Sequence, residues 1–257
     1  MKINPEISRE VVVEMTREAG DFLYDSFGEM RTVEEKSPKN YVTDADRKSE
    51  KIIISTIKKK FPDHEILAEE SGRIGEKSDF LWVIDPLDGT HNYIVNIPIW
   101  GVSIALCFKK RPVIGAIYLP CTGEMYEAGF SKGAFLNGKR INVSAVKLLE
   151  DSFILSEGAM RRKRLEKVKI FKLLTEKVKR VRLLGSTVSQ LAYLAAGRVE
   201  GFIGPTGYPW DYAAGSLIIK EAGGKATNLR GRDWQIDSAG FMATNGKIHN
   251  QLLKLIK

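Results

Sequence analysis

The segment LWVIDPLDGTHN, residues 81–92, holds the residues whose types and spacing point most directly to chemistry. Its apolar run to Ile84 reads as a buried strand, and Asp85 stands at the end of that run. Pro86 cannot donate to a ladder, so the strand is expected to stop there. Asp88 returns three residues later, Gly89 permits a tight turn, and Thr90 stands where a helix can begin, with unpaired amides around it. Two carboxylates, the Leu87 carbonyl and a helix start make an oxygen-rich cup beside an anion site. Hard oxygen donors without His or Cys select magnesium rather than zinc. On its own, DPLDG reads equally as a turn whose aspartate caps a helix.

Three further segments bring acids to element ends. AEES, 68–71, places Glu69 and Glu70 at the end of another strand. PWDYAAG, 209–215, places Asp211 just before a helix, where it also reads as a simple N-cap. VTDADR, 42–47, places Asp44 and Asp46 at a third helix start. Element ends are where open α/β sheets keep their ligand sites.

The elements that must position these acids follow from periodicity. Val11, Val12, Met15, Ala19, Phe22 and Leu23 recur at helical spacing within 7–27, and Gly28 ends that helix. EEKSPKNYV follows as a polar loop, and Thr43 or Asp44 can cap a second helix running to about Phe61. Strand-like runs at 65–69, 80–84, 102–108, 113–118 and 124–129 are joined by short links, so part of the sheet should be antiparallel. Beyond them, a strand at 152–156, a basic helix at 163–180, a helix at 186–196, a strand at 199–203 and a helix at 212–222 alternate. Gly223-Gly224 stops the last of these, and a strand at 241–244 and a helix at 246–256 close the chain. A meander followed by βα alternation predicts a mixed α+β, α/β protein with helices and sheets in stacked layers.

The 257 residues, 43% of them apolar, are ample for one large α/β unit or two small ones. No stretch is long and apolar enough to span a membrane, and the charged start MKINPEISRE shows no cleavable signal pattern, so a cytoplasmic location is expected. The formal charge of +8 suits an anionic partner, whether nucleic acid, membrane surface or phosphate metabolite. Cys107 and Cys121 form no CxxC pair and read as buried thiols, while His64, His91 and His249 show no zinc spacing. GAFLNGKR, 133–140, nearly spells a phosphate loop but ends in Arg140 where a hydroxyl is needed; Asn137-Gly138 reads as a hairpin turn.

WVIDPLDGTHN, with AEES upstream and PWDYAAGSLIIKEAGG downstream, resembles the inositol monophosphatase family, relatives of fructose-1,6-bisphosphatase. The resemblance runs from the EKSP–VTDAD region to the final helix. It implies a layered α-β-α-β-α sandwich, one unit over 1–257 with an N-terminal α+β half (1–148) carrying the main metal motif and a C-terminal α/β half (149–257). It implies a phosphatase of small sugar or polyol phosphates, inositol-1-phosphate or fructose-1,6-bisphosphate among them, that uses two to three Mg2+ per site and forms a homodimer. By the same resemblance, Glu69, Asp85 and the Leu87 carbonyl bind a first magnesium, and Asp85, Asp88 and Asp211 a second. Glu69 and water hold a weaker third. The Gly89 and Thr90 amides take the phosphate, Thr90 paired with Asp46 orients the attacking water, and Lys36 lies near the anion. Metals that activate water and clamp an in-line displacement remove the need for a covalent nucleophile.

One position departs from the inositol-specific pattern. Animal members of the family place an inositol-binding glutamate seven residues before the second-motif aspartate, and here that residue is Gly204. The glycine is expected to open space at that wall and to favour a larger or doubly phosphorylated substrate. GAMRRKR, 158–164, aligns with a substrate-side loop, where Arg161 and Arg162 would hold a second phosphate. The same residues also read as a solvated first turn of the next helix. A nucleic-acid or transcription-complex binding protein is the competing class, supported by the basic charge and by bacterial relatives that act in RNA-synthesis complexes. No aromatic-basic RNA platform accompanies it.

Overall fold

Val12, Met15, Thr16, Ala19, Gly20 and Leu23 fall on one stripe of the first helix, and all are buried. That stripe is the outermost of several apolar faces that stack the chain into layers. The computed structural model describes residues 9–29, 32–37, 40–158 and 163–256. They begin with α1 (Arg9–Asp25), β1 (Val33–Ser37), β2 (Asn40–Thr43) and α2 (Asp44–Lys60). Next come β3 (Glu65–Ala68), β4 (Gly72–Ile74), β5 (Phe80–Asp88), α3 (Thr90–Ile94), β6 (Gly101–Phe108) and β7 (Arg111–Leu119). β8 (Glu124–Gly129), β9 (Gly133–Leu136), β10 (Lys139–Arg140), β11 (Phe153–Ser156) and α4 (Arg164–Lys177) follow. The chain continues through β12 (Arg180–Arg182), α5 (Thr187–Ala195), β13 (Gly201–Gly204), α6 (Pro209–Glu221), β14 (Lys225–Thr227), β15 (Phe241–Thr244) and α7 (His249–Ile256).

An eight-stranded sheet runs in the order β10-β9-β8-β7-β6-β5-β3-β4, with β3 and β5 parallel and the other pairs antiparallel. A five-stranded sheet, β12-β11-β13-β15-β14, is parallel across its first three strands. Along β5, Trp82 and Ile84 join an apolar cluster with α1 and α2, while Leu81 and Val83 join a second cluster with α5 and α6. This period-two alternation into two buried faces is why β5 reads as an unbroken apolar run. A third cluster, Ile154, Ile170, Leu174, Ile203, Met242, Ile248 and Leu252, packs α4 and α7 on the far side of the small sheet. Three interlayer cores thus give the order helices, large sheet, helices, small sheet, helices, as the α-β-α-β-α expectation requires.

Three local expectations are corrected. Most of EEKSPKNYV is strand rather than loop, Glu34–Ser37 in β1 and Asn40–Val42 in β2, because backbone pairing from Val33–Thr43 to Ser37–Asn40 needs no apolar side chains. Pro86 does not end β5: the strand continues to Asp88 through a register irregularity. The basic helix stops at Lys177, and Arg180–Arg182 form an edge strand instead. Asn137 and Gly138 both have positive φ, 48° and 75°, as the hairpin turn demands. Cys107 is buried and Cys121 half-buried, both as free thiols. No helix among the described residues is long and apolar enough to cross a membrane.

Candidate active site

Asp85 pairs with Ser103 of β6, and Asp88 pairs with Gly101, so β5 advances three residues while β6 advances two. The extra residue is a bulge, the device by which strands re-aim side chains at functional sites. It absorbs Pro86, whose carbonyl accepts the Ser49 hydroxyl of α2 at 2.9 Å. The Leu87 N–H turns back to Asp85 Oδ1 at 3.2 Å. Gly89 then takes φ 91°, a left-handed conformation that lets α3 start at Thr90. Asp85 is buried, whereas Asp88, Gly89 and Thr90 are partly exposed.

Asp211 arrives from another layer. Pro209 opens α6, which places Asp211 at the third helical position rather than before the helix, and its Oδ2 accepts the Tyr208 N–H at 2.6 Å. Carboxylate oxygens of Asp85, Asp88 and Asp211 all lie within 4.8 Å of one another. No Lys or Arg among the described residues forms an ion pair with any of the three.

That convergence sets the electrostatics. Burial pushes the Asp85 carboxyl well above the ordinary carboxylate range, and the charges of Glu69, Asp88, Asp211 and Asp46 push it further. Asp211 is likewise raised well above its usual value, by burial first and then by Asp88. Burial lifts Asp88 to about 6, against the pull of the Ser186 hydroxyl and the Val188 and Thr187 N–H groups. A cluster of oxygen donors that carries unneutralised charge, with neither imidazole nor thiolate, fits a hard divalent cation such as magnesium.

Thr90 and Asp46 are brought together as expected. The Thr90 hydroxyl lies 3.1 Å from Asp46 Oδ1 and 3.1 Å from the Leu87 carbonyl. Asp46 is buried at the third position of α2, where its Oδ2 accepts the Thr43 N–H (2.8 Å) and hydroxyl (2.5 Å) in a capping box. Glu69 is near enough to raise both Asp85 and Asp211, yet its carboxylate is not one of the three that converge. The Glu70 N–H donates to Glu50 Oε2 at 2.8 Å, which fixes the chain just past Glu69. Lys36 lies in β1, and its side chain is outside what is described; Arg161 and Arg162 lie outside the described residues.

Gly204 does not open the wall, contrary to expectation. A Cβ there would stand 2.3 Å from the Tyr212 hydroxyl, so the space is already taken by that ring and by Glu157 behind it. Sequence reasoning also missed Ser186, the N-cap of α5, whose hydroxyl donates to Asp88 Oδ2 at 2.5 Å beside the Val188 N–H at 2.8 Å. The GSTVS stretch carries an N-cap signal for α5, but nothing local says that the helix start receives Asp88.

Comparison with known proteins places the chain in a family. The model of the inositol monophosphatase family matches residues 5–257. The chain is 36% identical over 251 residues to the fructose-1,6-bisphosphatase/inositol-1-monophosphatase of Thermotoga maritima, covering 95% of this chain and 93% of that one. It is 35% identical over 256 residues to the Nus factor SuhB of Pseudomonas aeruginosa, covering 96% and 94%. The crystal structure of the extragenic suppressor protein suhB from Bartonella henselae superposes with a TM-score of 0.92 at 37% identity, covering 96% of this chain and 97% of that one. The chain belongs to the inositol monophosphatase family, and its activity is that of a phosphoric monoester hydrolase.

Proposed function

We propose that this protein is a Mg2+-dependent phosphatase of small sugar or polyol phosphate monoesters, inositol-1-phosphate and fructose-1,6-bisphosphate being the leading candidates. The observation that carries the reading is the convergence of Asp85, Asp88 and Asp211 next to the Thr90–Asp46 pair. Asp85, Asp88, Asp211, Glu69 and the Leu87 carbonyl would hold two to three Mg2+, which supply activation of water and neutralisation of charge on the phosphoryl group. A Thr90 hydroxyl that donates its single proton to Asp46 presents its lone pairs outward. It can then accept from a water and turn that water's own lone pair toward phosphorus. The Gly89 and Thr90 amides, at the N-cap and first position of α3, have no intrahelical partner and would take phosphate oxygens. Lys36 adds a positive charge on the anion side.

Arg161 and Arg162 would hold the second phosphate of a bisphosphate. The name of the T. maritima relative supports fructose-1,6-bisphosphate and inositol-1-phosphate together. A homodimer is proposed on the family resemblance alone. The basic charge and the SuhB-named relatives support nucleic-acid binding as a second reading.

The test is phosphate release from both substrates with and without Mg2+, beside an RNA gel shift over a salt series. Magnesium-dependent release is expected. Full activity after chelation would sink the metal mechanism, and salt-sensitive RNA binding without release would favour the second reading. In an Arg161→Ala, Arg162→Ala variant, kcat/KM should fall about ten- to hundredfold on the bisphosphate and little on inositol-1-phosphate.

A further inference from the structure

The C-terminal ends of β11 and β13 lie side by side, with Ser156 opposite Ile203, and the Glu157 N–H donates to the Ile203 carbonyl at 3.2 Å. This carries the Glu157 side chain against residues 205–208, the loop from β13 to Asp211. Its carboxylate is only 7% exposed and meets the Lys167 ammonium of α4, 4% exposed, as an ion pair. The oxygen that takes Lys167 also accepts the Thr206 hydroxyl. The other accepts the Thr206 N–H and the Tyr212 hydroxyl, each at 3.2 Å. The Tyr212 hydroxyl in turn accepts the Gly207 N–H at 2.9 Å.

Glu157 therefore grips the chain on both sides of Asp211, before it at Thr206 and after it at Tyr212. The glycines of the loop are matched to this grip. A Cβ at Gly204 or Gly207 would stand 2.3 Å or 2.0 Å from the Tyr212 oxygen, and at Gly207 also 2.6 Å from Asp211 Oδ2. Burying two charges costs desolvation that an apolar pair of equal volume would avoid. Packing of β11 against α4 alone therefore does not call for Glu157 and Lys167. What an apolar pair lacks is the set of acceptors for Thr206 and Tyr212.

We propose that Glu157 is a positioning residue: with Lys167, Thr206 and Tyr212 it forms a clasp that holds Asp211 in place against Asp85 and Asp88, and so sets the divalent-cation affinity of the site. The inference rests on the metal-dependent reading above. Glu157 itself touches none of the reacting atoms; every one of its acceptor positions described here is filled by the clasp.

Geometry and simple charge make different demands, and three substitutions separate them. Mn2+ is titrated into the substrate-free protein and followed by its paramagnetic resonance signal and by calorimetry, beside thermal melts. Glu157→Gln should weaken Mn2+ binding about tenfold, the usual size of an effect transmitted through a ligand's supporting contacts. Tyr212→Phe keeps the ring stacked on Phe241, 4.5 Å between centroids, and removes only the hydroxyl; it should weaken binding several-fold. Lys167→Met should weaken binding as well, because the clasp opens. A through-space charge effect would instead tighten binding in Lys167→Met and leave Tyr212→Phe unchanged, and that pattern overturns the proposal. So do variants that melt earlier while binding Mn2+ like the wild type. Wild-type protein that binds no Mn2+ would defeat the metal reading itself, an outcome distinct from both.

Discussion

The Thr90 hydroxyl has one proton and two acceptors at equal distance, Asp46 Oδ1 and the Leu87 carbonyl, each at 3.1 Å. The charged acceptor makes the stronger bond, so the proton belongs mainly to Asp46. Removing this hydroxyl leaves the amides of the phosphate site in place. Thr90→Ala is therefore expected to lower kcat about a hundredfold or more, on the order of 3 kcal/mol, with KM nearly unchanged. Steady-state kinetics at saturating magnesium decide it: a sharp rise in KM at constant kcat would make Thr90 a binding group. The residues of this site were legible in the sequence because their signals are local: a proline and a glycine bracket Asp88, and a turn precedes each helix that starts with an acid. Ser186, Glu157 and Lys167 were not legible. Their partners lie 98, 49 and 10 residues away, at Asp88, Thr206 and Glu157, and no local pattern links a serine to an aspartate across two layers.

Among the elements, the turn between β5 and α3 combines two constraints at one glycine. Gly89 has φ 91°, and a Cβ there would meet the Ile99 carbonyl at 3.0 Å and Ser186 Cβ at 3.1 Å. Gly123, with φ 64°, shares the left-handed backbone but has nothing within 4 Å. Gly123→Ala should thus cost about 1 kcal/mol from backbone strain alone, and Gly89→Ala about 2–4 kcal/mol with loss of activity. Urea unfolding of the two variants checks the difference; equal costs would mean that strain, not crowding, rules at Gly89. Where α7 meets the small sheet, His249 is buried between the Thr227 hydroxyl (3.1 Å) and the Thr244 hydroxyl (3.0 Å). Burial, with Lys225 nearby, lowers its pKa to about 4. The unfolded chain takes up this proton near pH 6.5 and the folded chain only near 4, so stability is complete above about 6.5 and falls as the pH drops toward 4. The loss from this group should reach about 3 kcal/mol at the limit. The pH dependence of the urea midpoint should flatten between 6.5 and 4 in His249→Gln; an unchanged slope would show that His249 titrates normally. The elements themselves were readable wherever one face is apolar, as in α1 and β5. They were not readable in the β1–β2 hairpin or at β12, where the sequence is mostly polar and the backbone partner decides.

At the scale of the whole molecule, the site joins parts of the chain that fold into different layers. Asp85 and Asp88 lie at the end of a strand of the large sheet, and Asp211 stands in the first turn of a helix of the middle layer between the two sheets. Without a cation, three carboxylates within 4.8 Å repel across that joint; with one, the same oxygens tie it together. The acidic cluster is thus a place where the apo protein gives up stability and recovers it on binding. A cation at about 100 times its Kd should add about 2.7 kcal/mol. For a chain of this size that corresponds to a rise in Tm of roughly 5–10 °C. Asp85→Asn makes the argument two-sided. Asp85 is buried, and among the described residues its hydrogen-bond donor is the Leu87 N–H, which an amide oxygen can still accept. In chelator, the variant should melt no lower than the wild type, because one of three converging like charges is gone. In magnesium it should gain little, and phosphate release should fall by several orders of magnitude while the circular dichroism spectrum is unchanged. Thermal melts of both proteins in chelator and in magnesium measure all of this at once. If the wild type melts at the same temperature in both, the cluster does not bind the cation. If Asp85→Asn is strongly destabilised even in chelator, the aspartate is held by contacts other than a metal, and the repulsion assigned to it is not there.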